Sequence, residues 1–201
     1  MDHKDNNYHF TISEIQILRD LDFFIQKKRL LKLICEQMDR YGHDISDAFS
    51  QIEDAFPYEL RKPTSKISKG EYYMDAPWVV LDKPSVFSKD GIFAFRHIFL
   101  WGRGFSSTLH ISGKYLGMID LEALLKMNDQ SILILKGDNP FIHHYDEKLY
   151  VKLTEINTEK IMNQGYIRVS IFSDLDMIDK IPENGLKLMQ LAKSFIRLRS
   201  Q

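Results

Sequence analysis

An arginine and a histidine are the residues best placed to bind a charged ligand, because the pattern around them puts both on one side of a predicted β-hairpin. The apolar runs Phe93–Trp101 and Phe105–Ser112 predict two strands, and the glycines of Gly102-Arg103-Gly104 permit a tight loop between them. Alternation along these strands makes Arg96 and His110 cross-strand neighbours on one face. Two basic groups in that position repel each other unless the histidine is neutral or an acid lies between them.

This arrangement predicts a site for a small, partly apolar anionic ligand on a concave face of the sheet. An arginine guanidinium can hold a carboxylate or phosphate through two parallel hydrogen bonds. The predicted ligand-binding residues are Arg96, His110, Ser106, Thr108, Ser112, Tyr72, Tyr73 and Trp78. The alternative is structural: the arginine pairs with a neighbouring carboxylate and the histidine fills a polar gap. The prediction depends on the register, since a slip of one residue would invert both faces.

Other polar clusters lack the surroundings of a catalytic or metal site. His143-His144 is followed by two acidic residues, but adjacent strand residues point to opposite faces, so a solvated turn is predicted there. Ser106 and His110 lack the Gly-x-Ser-x-Gly pattern of a nucleophile. The sequence therefore predicts no cofactor, no metal and no catalytic residue. An enzyme that uses His97 or His110 as an acid or base stays open as an alternative.

Composition and charge narrow the classes of partner. Lys and Arg number 27 against 28 Asp and Glu, and the resulting net charge of −1 argues against a nucleic-acid binder with a basic face. No apolar run approaches the roughly 18 residues of a membrane helix, and the polar N-terminus does not resemble a secretory signal. We therefore expect no nucleic acid or membrane partner and a cytoplasmic location. The single cysteine, Cys35, is expected to be a buried, inert thiol.

The N-terminal quarter is predicted to be helical. Apolar residues at three- and four-residue steps predict a helix over residues 12–41, and Thr11 with Glu14 has the spacing of a capping box. Gly42 is predicted to end this helix in a left-handed cap. A second helix is predicted over residues 45–55, so the two would form a hairpin.

The rest of the chain is predicted to alternate short strands with turns. A strand over residues 76–81 is followed by a predicted turn at Asp82-Lys83-Pro84-Ser85, and 62–66 is a predicted loop. A short helix is predicted over 119–127. The further predicted strands cover residues 132–135, 148–156 and 166–172.

These elements predict one α+β domain over residues 1–201. Short connections between strands indicate antiparallel pairing, and helices at the two ends of the chain indicate the α+β class. We expect a mainly antiparallel, curved sheet of five or six strands over about 72–172. A C-terminal helix over about 183–198 would pack on it, with the N-terminal helical hairpin, about 12–55, alongside.

Three classes of function are compatible with these observations. The first is a soluble cytosolic protein that binds a small anionic ligand around Arg96 and His110. The second is a protein–protein interaction or dimerisation module without a pocket, since both terminal helices carry wide apolar stripes. The third is an enzyme with a histidine acid or base. No motif in the sequence names a reaction or a substrate.

Overall fold

The computed structural model describes residues 9–61, 65–156 and 158–197. Its α-helices are α1 (Ile12–Arg19), α2 (Leu21–Ser50), α3 (Leu121–Leu125), α4 (Thr158–Asn163) and α5 (Ile181–Phe195). Its β-strands are β1 (Lys66–Tyr73), β2 (Ala76–Ser88), β3 (Gly91–Leu100), β4 (Gly104–Ser112), β5 (Leu133–Leu135), β6 (Tyr150–Lys152) and β7 (Tyr166–Ser173). The polar N-terminus, most of the loop predicted at 62–66 and the predicted helix end at 198 lie outside the described residues.

The strands form one antiparallel sheet in the order β1-β2-β3-β4-β7-β5-β6, which does not close into a barrel. The predicted α+β class, the antiparallel sheet, the C-terminal helix and the helical N-terminus are therefore confirmed. The sheet has seven strands rather than five or six. The additional strand is β1, at one edge of the sheet. The sequence did not predict it because its first residues are basic and polar.

The first N-terminal helix begins at the predicted residue, but the boundary between the two helices lies at Asp20 rather than at residues 42–44. Thr11 Oγ1 accepts from the Glu14 N–H, and Glu14 Oε2 accepts from the Thr11 N–H, so the capping box is confirmed. The helix is interrupted at Asp20, whose carboxylate caps α2 by accepting a hydrogen bond from the Phe23 N–H. The predicted helix end at Gly42, and with it a hairpin turn there, is wrong. Gly42 is buried inside α2, where it faces Leu81 of the sheet.

The β3–β4 hairpin has the predicted strands but a different register. Leu100 pairs with Gly104, so the loop is Trp101-Gly102-Arg103, and Arg96 lies opposite Thr108 rather than His110. The predicted register is therefore wrong by two residues. A shift of two leaves every side chain on its predicted face, because the strand period is two.

The turn predicted at Asp82-Lys83-Pro84-Ser85 is wrong, because these residues continue β2. Asp82 pairs with Arg96 and Ser85 pairs with Ala94, so two residues of β2 oppose one of β3 in a bulge. Proline is normally confined to edges and bulges because it donates no hydrogen bond. Pro84 satisfies that constraint, since β1 pairs with β2 only as far as Asp82.

The two faces of the sheet differ as the alternation predicts. Helices α2 and α5 pack on one face, where Val79, Leu81, Phe93, Phe95 and Leu109 are fully buried. The opposite face carries Arg96, Thr108, His110 and other polar side chains on its central strands. This second face therefore carries all the predicted site residues of β3 and β4, namely Arg96, Ser106, Thr108, His110 and Ser112.

Candidate functional site

An open groove of about 740 Å³ lies over β1, β2 and β3 on the face opposite the helices. Trp78, Val80, Ile98 and Leu100 give it an apolar floor. Further lining residues are Lys66, Ser68, Gly70, Glu71, Tyr72, Tyr73, Asp82, Phe87, Arg96 and His143. The volume lies within the range of about 300–1,000 Å³ that is usual for small-molecule sites.

A glycine on the edge strand lets an aromatic ring form part of the groove. Gly70 lies opposite Trp78 in the β1–β2 ladder. A Cβ atom at Gly70 would lie 2.7 Å from the Trp78 indole, so the ring can cross β1 only because this position has no side chain. The arrangement leaves a broad aromatic surface in the groove, four residues along β2 from Asp82.

The polar end of the groove contains an arginine–aspartate ion pair. Arg96 Nε and Nη2 donate to Asp82 Oδ1 and Oδ2 at 2.6 and 2.9 Å, in the parallel geometry of a bidentate pair. The Phe87 ring lies 5.3 Å from the Arg96 guanidinium carbon. The acid that the sequence argument required is therefore Asp82. Nη1 of Arg96 takes no part in this pair, and the Arg96 side chain is 18% exposed.

The segment 136–149 covers the neighbouring part of the same face, and a buried arginine holds it in place. Arg168 on β7 is fully buried, and its Nη1 donates to the carbonyls of Pro140 and Ile142 at 2.6 Å each. Its Nη2 lies 3.1 Å from His143 Nδ1. Among the described residues, no carboxylate forms an ion pair with Arg168, so its charge is compensated by carbonyl and imidazole dipoles.

These contacts define the protonation state of His143 at the groove wall. A guanidinium can only donate, so His143 Nδ1 must accept and the ring proton lies on Nε2. The Tyr73 hydroxyl accepts from the His143 N–H at 2.7 Å, which leaves its own proton to donate to His144 Nδ1 at 3.0 Å. Tyr73 therefore joins the edge strand to the covering segment, and His143 presents a neutral ring to the groove.

Burial and the two arginines lower the pKa values of the histidines on this face. For His110, burial is the larger cause and the charges of Arg168 and Arg96 add to it, which lowers the pKa to about 3. The same causes lower the pKa of His143 to about 2. Both rings are neutral at physiological pH, and both lie in a positive local field.

The groove contains four of the eight predicted site residues, namely Arg96, Tyr72, Tyr73 and Trp78. His110 is on the same face but is buried, in edge contact with Phe141 and Tyr166. The other three predicted residues are serine or threonine side chains of β4. Their separate positions explain why none of them lines the groove.

Each of these three hydroxyl groups occupies a different environment. Thr108 is buried and shares a hydrogen bond of 2.8 Å with Ser170. Ser112 Oγ accepts from the Ile92 N–H at the strand end. Ser106 Oγ is buried and has no hydrogen-bond partner in the described part of the chain. The predicted residues of β3 and β4 therefore share one face of the sheet, but Arg96 alone among them lines the groove.

Sequence reasoning missed Asp82, His143 and Arg168 as parts of the site. Asp82 was assigned to a turn, although the Asp90-Gly91 pair that follows is a common hairpin signal and would have paired β2 with β3. His143 was assigned to a solvated turn. No local pattern identifies Arg168 as buried, because its partners are carbonyls brought by a distant segment.

The remaining histidine of the hairpin lies on the other face. His97 is buried between α2 and the sheet, with its Nδ1 3.0 Å from Ser107 Oγ and 3.4 Å from the Tyr41 hydroxyl. Burial lowers the pKa of His97 to about 3. His97 does not line the groove, so an acid or base role there would have to operate inside the helix-packed core.

Within the described ranges, no three His, Cys, Asp or Glu side chains cluster closely enough to hold a metal ion. None of the helices in those ranges combines the length and the apolar character needed to cross a lipid bilayer. Comparisons with protein-family models, with curated proteins and with solved structures found no match for this chain. Arguments about function therefore rest on the groove itself.

Proposed function

We propose that the protein binds a small, partly apolar ligand in the groove, with an acidic group of the ligand directed towards Arg96. The observation that carries this proposal is an aromatic and aliphatic floor with the Arg96–Asp82 ion pair at one end of it. Apolar walls with a few converging polar groups are the usual composition of a ligand pocket. The proposal places the protein in the cytoplasm, where Cys35 would remain a free thiol.

The charges around the polar end favour an anionic group over a cationic one. Asp82 already balances Arg96, and Glu71 is paired with Lys27 at 3.0 Å. Arg168 adds a buried positive charge behind His143 that no described carboxylate neutralises. An acidic ligand group would approach Arg96 Nη1 and accept a charge-assisted hydrogen bond, which is stronger than a neutral one.

The test compares two ligands that share a carbon skeleton and differ in whether the terminal group is a carboxylate or a neutral hydroxyl. We would titrate 4-phenylbutyrate and 4-phenylbutanol against the fluorescence of Trp78, in a Trp101→Phe background that removes the other tryptophan. We expect saturable quenching by both, with the acid binding roughly tenfold more tightly because of one charge-assisted hydrogen bond.

Two variants assign that preference to the ion pair. Asp82→Asn frees the guanidinium from its partner, so we expect tighter binding of the acid. The double variant Arg96→Gln/Asp82→Asn removes both charges without leaving either unpaired, and we expect acid and alcohol to bind equally. Arg103→Gln, in the hairpin loop and outside the groove lining, is the matched control and should keep the preference. Equal binding of acid and alcohol by the unmodified groove, or no saturable quenching, would reject the proposal.

A further inference from the structure

The N-terminal arm, which we define as residues 10–33, is the largest apolar surface that the described structure leaves uncovered. Eleven large apolar side chains between Phe10 and Leu33 are 36–79% exposed. Helix α1 has no buried residue at all. An isolated helix of eight residues is not stable in water without packing, so the arm needs a surface to cover it.

The apolar side chains surround the arm rather than forming one stripe. In α1, Ile15 and Ile17 point in directions about 160° apart on the wheel of 3.6 residues per turn. In α2, Leu21 and Leu30 are on opposite sides of the helix, and both are exposed. Because apolar side chains project from several sides of the arm, packing among other helices can cover them, whereas a helix on a lipid surface has one apolar and one polar side.

The charges on α2 complement a second, antiparallel copy of the same helix. Asp22, Ile25, Arg29 and Leu33 are spaced three or four residues apart, so they share one exposed face. If two copies cross antiparallel with their two-fold axis near Ile25, Asp22 of each copy lies opposite Arg29 of the other. A two-fold interface requires a patch that is complementary to itself, and this face meets that requirement.

The exposed area is large enough for a stable dimer. Eleven side chains with full areas near 200 Å², exposed by 36–79%, present on the order of 1,200 Å². A standard interface buries about 800 Å² on each partner. Covering about two thirds of the arm would therefore reach the size of a specific interface.

We propose that two copies of this chain associate through their N-terminal arms, with α2 antiparallel to α2 and each α1 packed into the resulting helical bundle. The proposal is independent of the ligand groove, because Asp22, Ile25, Arg29 and Leu33 do not line it. The interface would cover the apolar side chains that the rest of the fold leaves exposed.

Sedimentation velocity of the full chain between about 1 and 100 µM tests the association. We expect a dimer for the natural sequence, and a monomer for Ile25→Lys/Leu33→Lys, whose dissociation constant should rise at least about 100-fold because each change counts twice in a symmetric interface. The matched control is Met162→Lys on α4, an exposed apolar residue far from the arm in sequence, which should leave the dimer intact. Circular dichroism should show equal folding of the core in all three proteins.

A charge exchange tests the antiparallel arrangement separately. Asp22→Arg and Arg29→Asp should each weaken association roughly tenfold by placing like charges opposite each other, and the double variant should recover it. Both residues are exposed, so the folded core should be unaffected.

Three outcomes would overturn the proposal. The first is a natural chain that stays monomeric at 100 µM. This outcome would overturn the proposal even if the chain bound phosphatidylserine-containing vesicles in a flotation assay. The second is a dimer that survives Ile25→Lys/Leu33→Lys. The third is a double charge variant that is weaker than both single variants, which would reject the antiparallel pairing.

Discussion

Stability should fall steeply between pH 6.5 and pH 5, because two buried histidines, His97 and His110, and the half-buried His143 are neutral in the folded protein. Burial is the first cause that lowers the pKa of His97 and His110 to about 3 and that of His143 to about 2. In the unfolded chain their pKa is near 6.5. Between these values the unfolded chain binds protons that the folded protein excludes, so acid favours unfolding.

The magnitude follows from the number of excluded protons. Each histidine contributes about 1.4 kcal/mol per pH unit, fully retained above pH 6.5 and lost as the pH falls towards its folded pKa. Three histidines together give a slope of about 4 kcal/mol per pH unit near pH 5.5. Since domains are stable by only about 5–15 kcal/mol, the protein should approach unfolding near pH 5. Carboxylates that titrate below this window do not mask the effect.

Urea unfolding at half-unit pH steps measures this slope directly. His97→Gln should reduce the slope by about a third, whatever it does to the absolute free energy of unfolding. His43→Gln is the matched control, because His43 is exposed on α2 and its removal should leave the slope unchanged. A free energy of unfolding that is flat between pH 6.5 and pH 5, or a slope that His97→Gln does not change, would refute the reasoning.

Two further pairs of variants test the packing that supports the site. Gly42→Ala should stabilise the protein by about 0.5–1 kcal/mol, because the new methyl lies 3.7 Å from its nearest neighbours inside a helix, whereas Gly185→Ala should destabilise it by about 1–3 kcal/mol because its methyl would overlap the Tyr41 hydroxyl. Urea unfolding distinguishes the two, and equal signs would contradict the packing. Thr108→Val should cost about 1–3 kcal/mol by leaving the Ser170 hydroxyl buried without its partner, and adding Ser170→Ala should recover most of that loss in the same assay. A double variant no more stable than the single one would contradict this account.

Local patterns were sufficient for the parts of this protein that depend on neighbouring residues. The capping box of Thr11 and Glu14 needs only the three-residue spacing between them. The faces of β3 and β4 follow from strict alternation, which survives the two-residue error in register.

Distant contacts decided the rest. Gly42 carries the same local signal as a helix end, yet packing against Leu81 keeps α2 continuous through it. Asp82 lies opposite Arg96 because β2 continues through a bulge at Pro84 and pairs with β3 on both sides of it.

The position of the site along the sheet was also a tertiary result. Arg168 is 26 residues from Ile142 in the chain and nevertheless holds the segment that covers His110 and leaves Arg96 in the open groove. Alternation assigns a side chain to a face of the sheet because that choice is local. Which part of the face stays accessible depends on long-range hydrogen bonds, for which the sequence carries no local signal.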